Sequence, residues 1–299
     1  MSSTSAIDWA LYRSFLAVLD EGSLSGAARA LGITQPTVGR HVEALEQALG
    51  LVLFTRSQTG LLATEAAASL RGHLQAMAST AASLEREALS HGGSAVKGVV
   101  RISCSDVIGV EVLPPTIVRL REAYPELRVE LVLTDRVQDL LQREADIAVR
   151  MVEPTQGQLI ARRIGAIEMG LFARRDYLER HGAPSDPTQL AGHSAIGYDT
   201  VVPYIRRLEQ KLPGIRREAF SLRSDNALAQ LALLRAGAGI GMCQVPLGLR
   251  DPALLRLLPE AVSVPLECWV TMHEDLRGSP RCRATFDALV EGLLAYVGG

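Results

Sequence analysis

Apolar positions in the first 64 residues recur at helical spacing. Leu11, Phe15, Val18 and Leu19 fall on one side of a helix that Asp8 can cap. Gly22 can end that helix, because glycine accepts the left-handed conformation common just past a helix. Ser23 then opens a short second helix over 24–31, whose Ala27, Ala28 and Ala30 let a neighbour approach closely. Gly32 supplies a sharp turn, and Thr34 is placed to cap a third helix, with Pro36 harmless in its first turn. Val38, Val42, Leu45 and Leu49 mark the buried face of this third helix. Helix, glycine turn, helix is helix-turn-helix spacing. Two apolar runs, 51–54 and 61–63, flank Ser57-Gln58-Thr59-Gly60 and predict a small hairpin or wing.

The opening of the third helix is polar where its opposite face is apolar. In helix-turn-helix proteins that turn meets base edges in the major groove. Gln35 suits adenine, Arg40 suits guanine or phosphate, and Thr34 and Thr37 suit either bases or phosphates. Spacing alone also fits a three-helix interaction module with a solvated polar cap.

From 64 to 90 there is no proline and one glycine, Gly72. Leu70, Leu74, Met77, Ala81, Leu84 and Ala88 alternate by four and three, the pattern of a coiled-coil seam. At about 1.5 Å per residue such a helix runs roughly 40 Å. Its expected role is dimerisation; an ordinary helix packed on its own domain is the other reading. Residues 91–94, His-Gly-Gly-Ser, then resemble a hinge.

Beyond 95 the pattern changes to strands alternating with helices. Strands are expected at 99–103, 128–133, 146–149, 168–173, 195–198, 240–243 and 264–272. Helices are expected at 113–123, 137–143, 176–181, 226–236 and 283–297. This order predicts an α/β fold with a mostly parallel sheet. Ligands of such sheets sit beyond the C-terminal strand ends. That rule nominates Ser103, Cys104, Ser105 and Asp106 after the first strand, Thr134 after the second and Arg150 after the third. Tyr198, Asp199, Thr200 and Gln244 are nominated from the later strands. Hydroxyls and one arginine suit a small carboxylate. Asp106 adds a site for an amine, or pairs with Arg150; each residue equally suits a strand-end cap or salt bridge. Ala-Gly-Ala-Gly-Ile-Gly at 236–241 lies after a helix and before a strand, the wrong order for a phosphate loop.

Composition bounds the rest. At 299 residues the chain suits about two domains. With 47% hydrophobic and 21% charged residues it has the balance of an ordinary globular protein, and no 18-residue apolar run exists to span a bilayer. The first residues lack a basic stretch followed by an apolar one, so a cytoplasmic protein is expected. Cys104, Cys243, Cys268 and Cys282 are too far apart for a metal or redox pair, and the six histidines lack ligand spacing. No metal or cofactor is expected, and Cys104 reads as a buried or cleft-lining thiol. No nucleophile elbow or P-loop occurs, so no enzyme is expected. The net charge of −2 advertises no nucleic-acid partner. Over 1–64, four arginines (Arg13, Arg29, Arg40, Arg56) face five carboxylates (Asp8, Asp20, Glu21, Glu43, Glu46), a net of −1. Any DNA affinity then rests on a few placed groups, with a shallow salt dependence.

Residues 15–65 resemble the N-terminal domain of LysR-type transcriptional regulators. Ala27-Ala28, Leu31, Thr34-Gln35-Pro36, Leu45-Glu46, Leu49-Gly50, Leu53-Phe54 and Arg56 stand at that family's recurrent positions. The stretches VLPPTIVRLREAYPELRVEL, DLLQREADIAVRM, LIARRIGAIEMGLFARRDYLERHG and LLRAGAGIGMCQVP extend the resemblance over nearly the whole chain. The resemblance implies a winged helix-turn-helix DNA-binding domain over 1–64 and a linker and dimerisation helix over 65–90. A two-lobed effector-binding domain like the periplasmic solute-binding proteins follows over 91–299, lobe I about 95–163 and 265–299, lobe II about 164–264. Double-stranded DNA, a small-molecule effector and further copies of the chain, as dimer and tetramer, are the implied partners. Ser23, Thr34, Gln35, Pro36, Thr37, Arg40 and Arg56 are the implied DNA contacts, and Ser105, Thr134 and Arg150 the clearest effector contacts. Three departures stand out: Gly39 where serine is usual, a wing with no arginine after Arg56, and Ala66 or Ala67 where glycine is usual. The expected function is a ligand-responsive transcription regulator. The alternative is a small-molecule binding protein whose N-terminal helices only oligomerise, which deletion of 1–64 would discriminate.

Overall fold

Capping chemistry sets the first three helices. In the computed structural model, which describes residues 7–57, 60–88, 95–134, 145–154, 159–200 and 217–298, Asp8 caps α1 (Trp9–Glu21) by accepting the Ala10 N–H at 2.9 Å. Ser23 caps α2 (Leu24–Leu31) through the Gly26 N–H at 3.0 Å. Gly22 and Gly32, at φ 68° and 69°, end them in the left-handed region. Thr34 precedes α3 (Gln35–Leu49) but does not cap it with its side chain. Pro36 has no N–H to offer there, and the Thr37 N–H already bonds the Thr34 carbonyl. The Thr34 hydroxyl pairs instead with Thr37 Oγ1 at 2.8 Å.

Val38, Val42 and Leu45 of α3 are buried as the spacing predicts. Val38 and Val42 pack with Val18, Ala27 and Ala28, and Leu45 with Phe15, Leu53 and Ala67. β1 (Phe54–Ser57) and β2 (Gly60–Ala63) pair antiparallel as a hairpin. The strand starts at Phe54 rather than at 51, because Leu53 is buried in the core and Glu46 Oε1 takes the Leu53 and Phe54 N–H groups. Thr64 ties the hairpin's exit to its entry, donating its hydroxyl to Val52 O at 2.9 Å while its Oγ1 accepts the Ala67 N–H.

α4 (Glu65–Ala88) follows, and its apolar seam divides in two. Leu74, 3% exposed, and Leu70 pack into the cluster of Phe15 and Leu45, and Arg71 reaches Leu19 O and Asp20 on α1. The first part of the expected dimer seam is therefore spent within the chain, since a half-helix of alanines and leucines covers the open side of a small core. Met77 and Leu84 stay 42% and 68% exposed. The expected hinge at 91–94 lies outside the described residues.

The described residues from 95 onward form a second compact unit. Its elements are β3 (Gly98–Cys104), α5 (Pro114–Ala123), β4 (Leu127–Leu133), β5 (Ile147–Arg150), β6 (Leu159–Arg174) and α6 (Arg175–His181). β7 (Ala195–Gly197), β8 (Leu222–Arg223), α7 (Ala227–Arg235), β9 (Ile240–Gln244), α8 (Val245–Arg250), β10 (Leu254–Leu257), β11 (Val264–His273) and α9 (Pro280–Gly298) complete it. The expected helix at 137–143 and much of the irregular stretch near 199–220 lie outside the described residues.

The strands make one sheet in the order β4-β3-β5-β11-β6-β9-β7-β8, with β10 also on β6. β3 pairs parallel with β4 and β5, and β7 with β8 and β9, as expected. The centre departs from a mostly parallel sheet: β11 runs antiparallel to β5 and β6, and β6 antiparallel to β9 and β10. The reason is topological, because β6 carries the chain from lobe I to lobe II and β11 brings it back. The crossing is marked by a register shift between Cys268 and Trp269 opposite Gly165, whose φ of 147° no L side chain adopts readily. Lobe I closes around Ile102, Ile147, Val270 and Leu289. Lobe II has a cluster on each sheet face, one around Leu171, Tyr177 and Ile240, the other around Phe172, Ile196, Leu234 and Cys243.

Candidate functional site

The opening of α3 is a small self-braced array. Thr34, Gln35, Pro36 and Arg40 are exposed and Thr37 is half-buried. Ser25 Oγ donates to Gln35 Oε1 at 3.0 Å, and Arg40 donates to Thr37 Oγ1 at 3.4 Å. These bonds preset side chains without burying them. The Ser23 hydroxyl is committed to its cap. Arg56 stands on β1 opposite Leu61, its side chain outside the described set. Ser25 escaped sequence reading because only the packing of α2 on α3 brings it to Gln35. His41, one residue beyond Arg40, turns inward and pairs through Nδ1 with the buried Ser14 at 2.7 Å.

In the second unit the strand-end rule gathers only some of its nominees. Arg150 donates to the Ser103 carbonyl at 3.1 Å and to Ser103 Oγ at 2.9 Å, and the Thr134 N–H bonds the Cys104 carbonyl at 2.8 Å. Ser103 and Cys104 are fully buried. Ser105 accepts the Gly109 N–H through its carbonyl, opening the π-helical turn Ile108–Val112. Asp106 accepts from Asn226 Nδ2 at 3.2 Å. Asp199 and Thr200 gather at Asp225, which accepts both their amides and the Thr200 hydroxyl, and Arg217 pairs with Asp199 at 2.6 Å. Asp225 and Asn226 escaped strand-end logic because β8, which they follow, is two residues long and shows no strand pattern in the sequence.

Beside these ends lies a cavity of about 330 Å³, almost wholly in lobe II. Met169, Leu171, Leu190, Ile196, Phe220, Leu231 and Met242 give it an apolar lining, and Val107 is the lobe I residue at its wall. Of the nominated residues only Tyr198 and Gln244 line it; Gln230 and Cys243 join them. None of its described lining residues carries a charge. Burial pushes the Cys243 thiol up to about 12, so it stays neutral at physiological pH.

Among the described residues, three side-chain hydrogen-bonded ties join the lobes around the cavity. Arg235 on α7 holds Glu111 of the π-helical turn through two bonds of 2.6 and 2.9 Å. Asn226 holds Asp106, and the Tyr296 hydroxyl on α9 donates to Gln244 Oε1 at 2.6 Å. The Arg235 hydrogen bond keeps the Glu111 carboxyl below the usual carboxylate range, although partial burial opposes it.

Two family models match the chain. Residues 9–68 match the bacterial regulatory helix-turn-helix protein, lysR family, and residues 93–294 match the LysR substrate binding domain. The chain belongs to the LysR family of transcriptional regulators. Among similar proteins, CrgA of Neisseria meningitidis serogroup C is 32% identical over 62% of this chain and 61% of its own. A regulator from Xanthomonas campestris is 31% identical over 61% of this chain, which spans about half its length, 53%. LtrA of Klebsiella pneumoniae, a probable regulator, is 28% identical over 95% and 94%. The solved structure of CrgA from Neisseria meningitidis superposes with a TM-score of 0.57 at 26% identity, covering 95% of this chain and 98% of that one. CbnR, solved in complex with its target DNA, reaches 0.66 at 19% identity over 95% and 99%, a likeness of fold alone.

Against the LysR-type pattern, Gly39 leaves room for a larger residue. A Cβ there would meet only Leu24 Cδ1 at 3.9 Å, so the absent serine reflects no steric demand. The Leu45-Glu46 pair has a legible reason: Leu45 fills the core and Glu46 holds the start of the wing. Gly237 turns the chain out of α7 at φ 75°, and Gly239 lies against the residue before β7, as a Cβ there would lie 2.2 Å from the Ser194 carbonyl oxygen. Among the described residues no helix is long and apolar enough to cross a membrane, and no group of side chains suits a metal ion.

Proposed function

We propose that this LysR-type regulator binds a specific DNA operator through the opening turn of α3 and that a small molecule bound in the second unit controls it. The observation that carries the reading is the polar row of Gln35, braced by Ser25, and Thr37, braced by Arg40, at the opening of α3 on a packed three-helix core. Gln35 offers an amide for adenine, Arg40 a guanidinium for guanine or phosphate, and the two threonines reach adjoining backbone. Ser23, at the cap of α2, and Arg56, on the wing, flank this row as phosphate contacts. The exposed part of α4, with Met77, Ala81 and Leu84, pairs two subunits, and dimers assemble further. Leu84→Asp should then lower the oligomeric state in sedimentation. Effector binding shifts the closure of the lobes, which changes subunit packing and the bend of the bound DNA.

The polar strand ends outside the cavity offer one alternative for that small molecule: a small carboxylate or amino-acid-like effector against Arg150, Thr134, Ser105 and Asp106. It would have to compete with Ser103 for Arg150 and with Asn226 for Asp106.

The test is footprinting of the purified protein on the DNA upstream of its own gene. The expected pattern is two separated protected patches with enhanced cleavage between them. Gln35→Ala and Arg40→Ala should each weaken binding by about 5- to 100-fold, the worth of a lost base contact. No protection even at low salt would overturn the reading, and a chain lacking residues 1–64 should give none.

A further inference from the structure

The cavity of lobe II differs in character from the polar strand ends beside it. Its volume, about 330 Å³, is at the small end for ligand sites and suits a molecule of roughly ten to fifteen non-hydrogen atoms. Its walls are aliphatic, aromatic and thioether. The charged side chains around it are already engaged: Arg235 with Glu111, Arg256 with Glu168, Asp186 with Thr188, and Arg223 with the Phe220 carbonyl and Asp199. An anion entering this space would lose its hydration and gain no counter-charge.

Two buried amides join Thr188 and Tyr198 as the polar side chains of its described lining. Gln230 and Gln244 are both more than nine-tenths buried and both line the space. Gln230 spends its Nε2 on the Ser224 carbonyl at 2.6 Å, which turns its Oε1 into a free acceptor. Gln244 spends its Oε1 on the Tyr296 hydroxyl at 2.6 Å, which leaves its Nε2 as a free donor. One neutral acceptor and one neutral donor at an apolar wall match a group that both gives and takes a hydrogen bond.

We infer that this cavity is the effector site and that its ligand is a neutral, mainly apolar molecule bearing one hydroxyl or carboxamide. Gln230 and Gln244 select the polar group, and the apolar walls exclude the corresponding carboxylate. This rests on the ligand-responsive reading above, and names the ligand class. Because Gln244 is also bonded to Tyr296 on α9, an occupant at Gln244 is felt directly by the helix that closes lobe I.

The probes are 2-naphthol and 2-naphthoate, which share one ring system and differ in charge, titrated calorimetrically into the full-length protein without DNA. The expected result is binding of 2-naphthol and at least about tenfold weaker binding of 2-naphthoate. Gln230→Leu should weaken 2-naphthol by about tenfold, the loss of one buried hydrogen bond. Ala227→Phe, which fills the cavity, should abolish binding, with circular dichroism confirming that both variants fold. Equal or tighter naphthoate binding, no 2-naphthol binding at millimolar concentration, or undiminished binding by folded variants would each overturn the inference. Footprinting run in parallel separates the two readings. Intact DNA protection with no 2-naphthol binding removes the ligand class alone, whereas lost protection with 2-naphthol still bound removes the regulator reading alone.

Discussion

In the N-terminal unit the side chains offered to a partner are nearly consecutive. Thr34, Gln35, Pro36, Thr37 and Arg40 occupy the cap and first two turns of α3, all but the half-buried Thr37 exposed; Thr37 bonds Thr34 and Arg40, and Gln35 bonds the adjoining Ser25. In the C-terminal unit the cavity draws its lining from residues between Val107 and Leu247, and most of these are partly or fully buried. The contrast follows from the size of what each would bind. A duplex larger than the module can be read by one exposed helix end, so a single element suffices. A small molecule must be surrounded, and only several elements folded together make walls on every side.

The sharpest way to break this comparison is to empty the core under the exposed turn. Leu45 is fully buried against Phe15, Leu53 and Ala67, so Leu45→Ala should cost about 3 kcal/mol. In urea titrations the transition of the first unit should move to lower denaturant while that of the second stays. A common shift of both would show that the two units are energetically one.

Next in size is Glu46→Ala. It strips the Leu53 and Phe54 amides of their shared acceptor and should cost about 2 kcal/mol. Hydrogen exchange at Leu53 should accelerate markedly; unchanged protection would mean that the wing is held by Thr64 alone.

The lobe tie between Glu111 and Arg235 is smaller, because Arg235 remains partly exposed and screened. Its sign is definite. The folded state depresses the Glu111 pKa, so the contribution is present above the ordinary carboxylate range and is lost as pH falls through it. Glu111→Gln should lower stability by about 1 kcal/mol at pH 7 and flatten the acid limb of the stability curve. Identical pH slopes for the two proteins would show that the ionised pair contributes nothing.

The smallest effect has the opposite sign. Gly39 sits inside α3 with open space around its Cβ direction, so Gly39→Ala should raise stability by up to about 1 kcal/mol. A loss in melting experiments would reveal a backbone demand at this position that the structure does not display.

Legibility from sequence differed between the units for the same reason as their architecture. Asp8, Ser23, Gly22 and Gly32 act within a few residues of themselves, and each does what its chemistry suggests. Thr34 failed as a side-chain cap because Pro36 withdrew the expected donor, which is also local and was open to reading. The fate of Leu70 and Leu74 was not, since a heptad seam looks the same whether it meets a second chain or its own domain. β10 and α8 are four and six residues long, too short for periodicity to show.

Of the nominated effector residues, Tyr198 and Gln244 line the cavity, while Ser103 and Arg150 are bonded to each other. Strand-end logic finds where a sheet stops, and it cannot tell which ends face empty space. The sequence by itself determined the helix-turn-helix, its caps, its buried face and the alternation of strands and helices, because these depend on spacing within one segment. Only the tertiary structure decided the antiparallel centre of the sheet, the ties between lobes and the neutral character of the cavity. Each of those depends on which distant side chains have already paired, as Glu111 has with Arg235 across 124 positions of chain, and on which space that pairing leaves open.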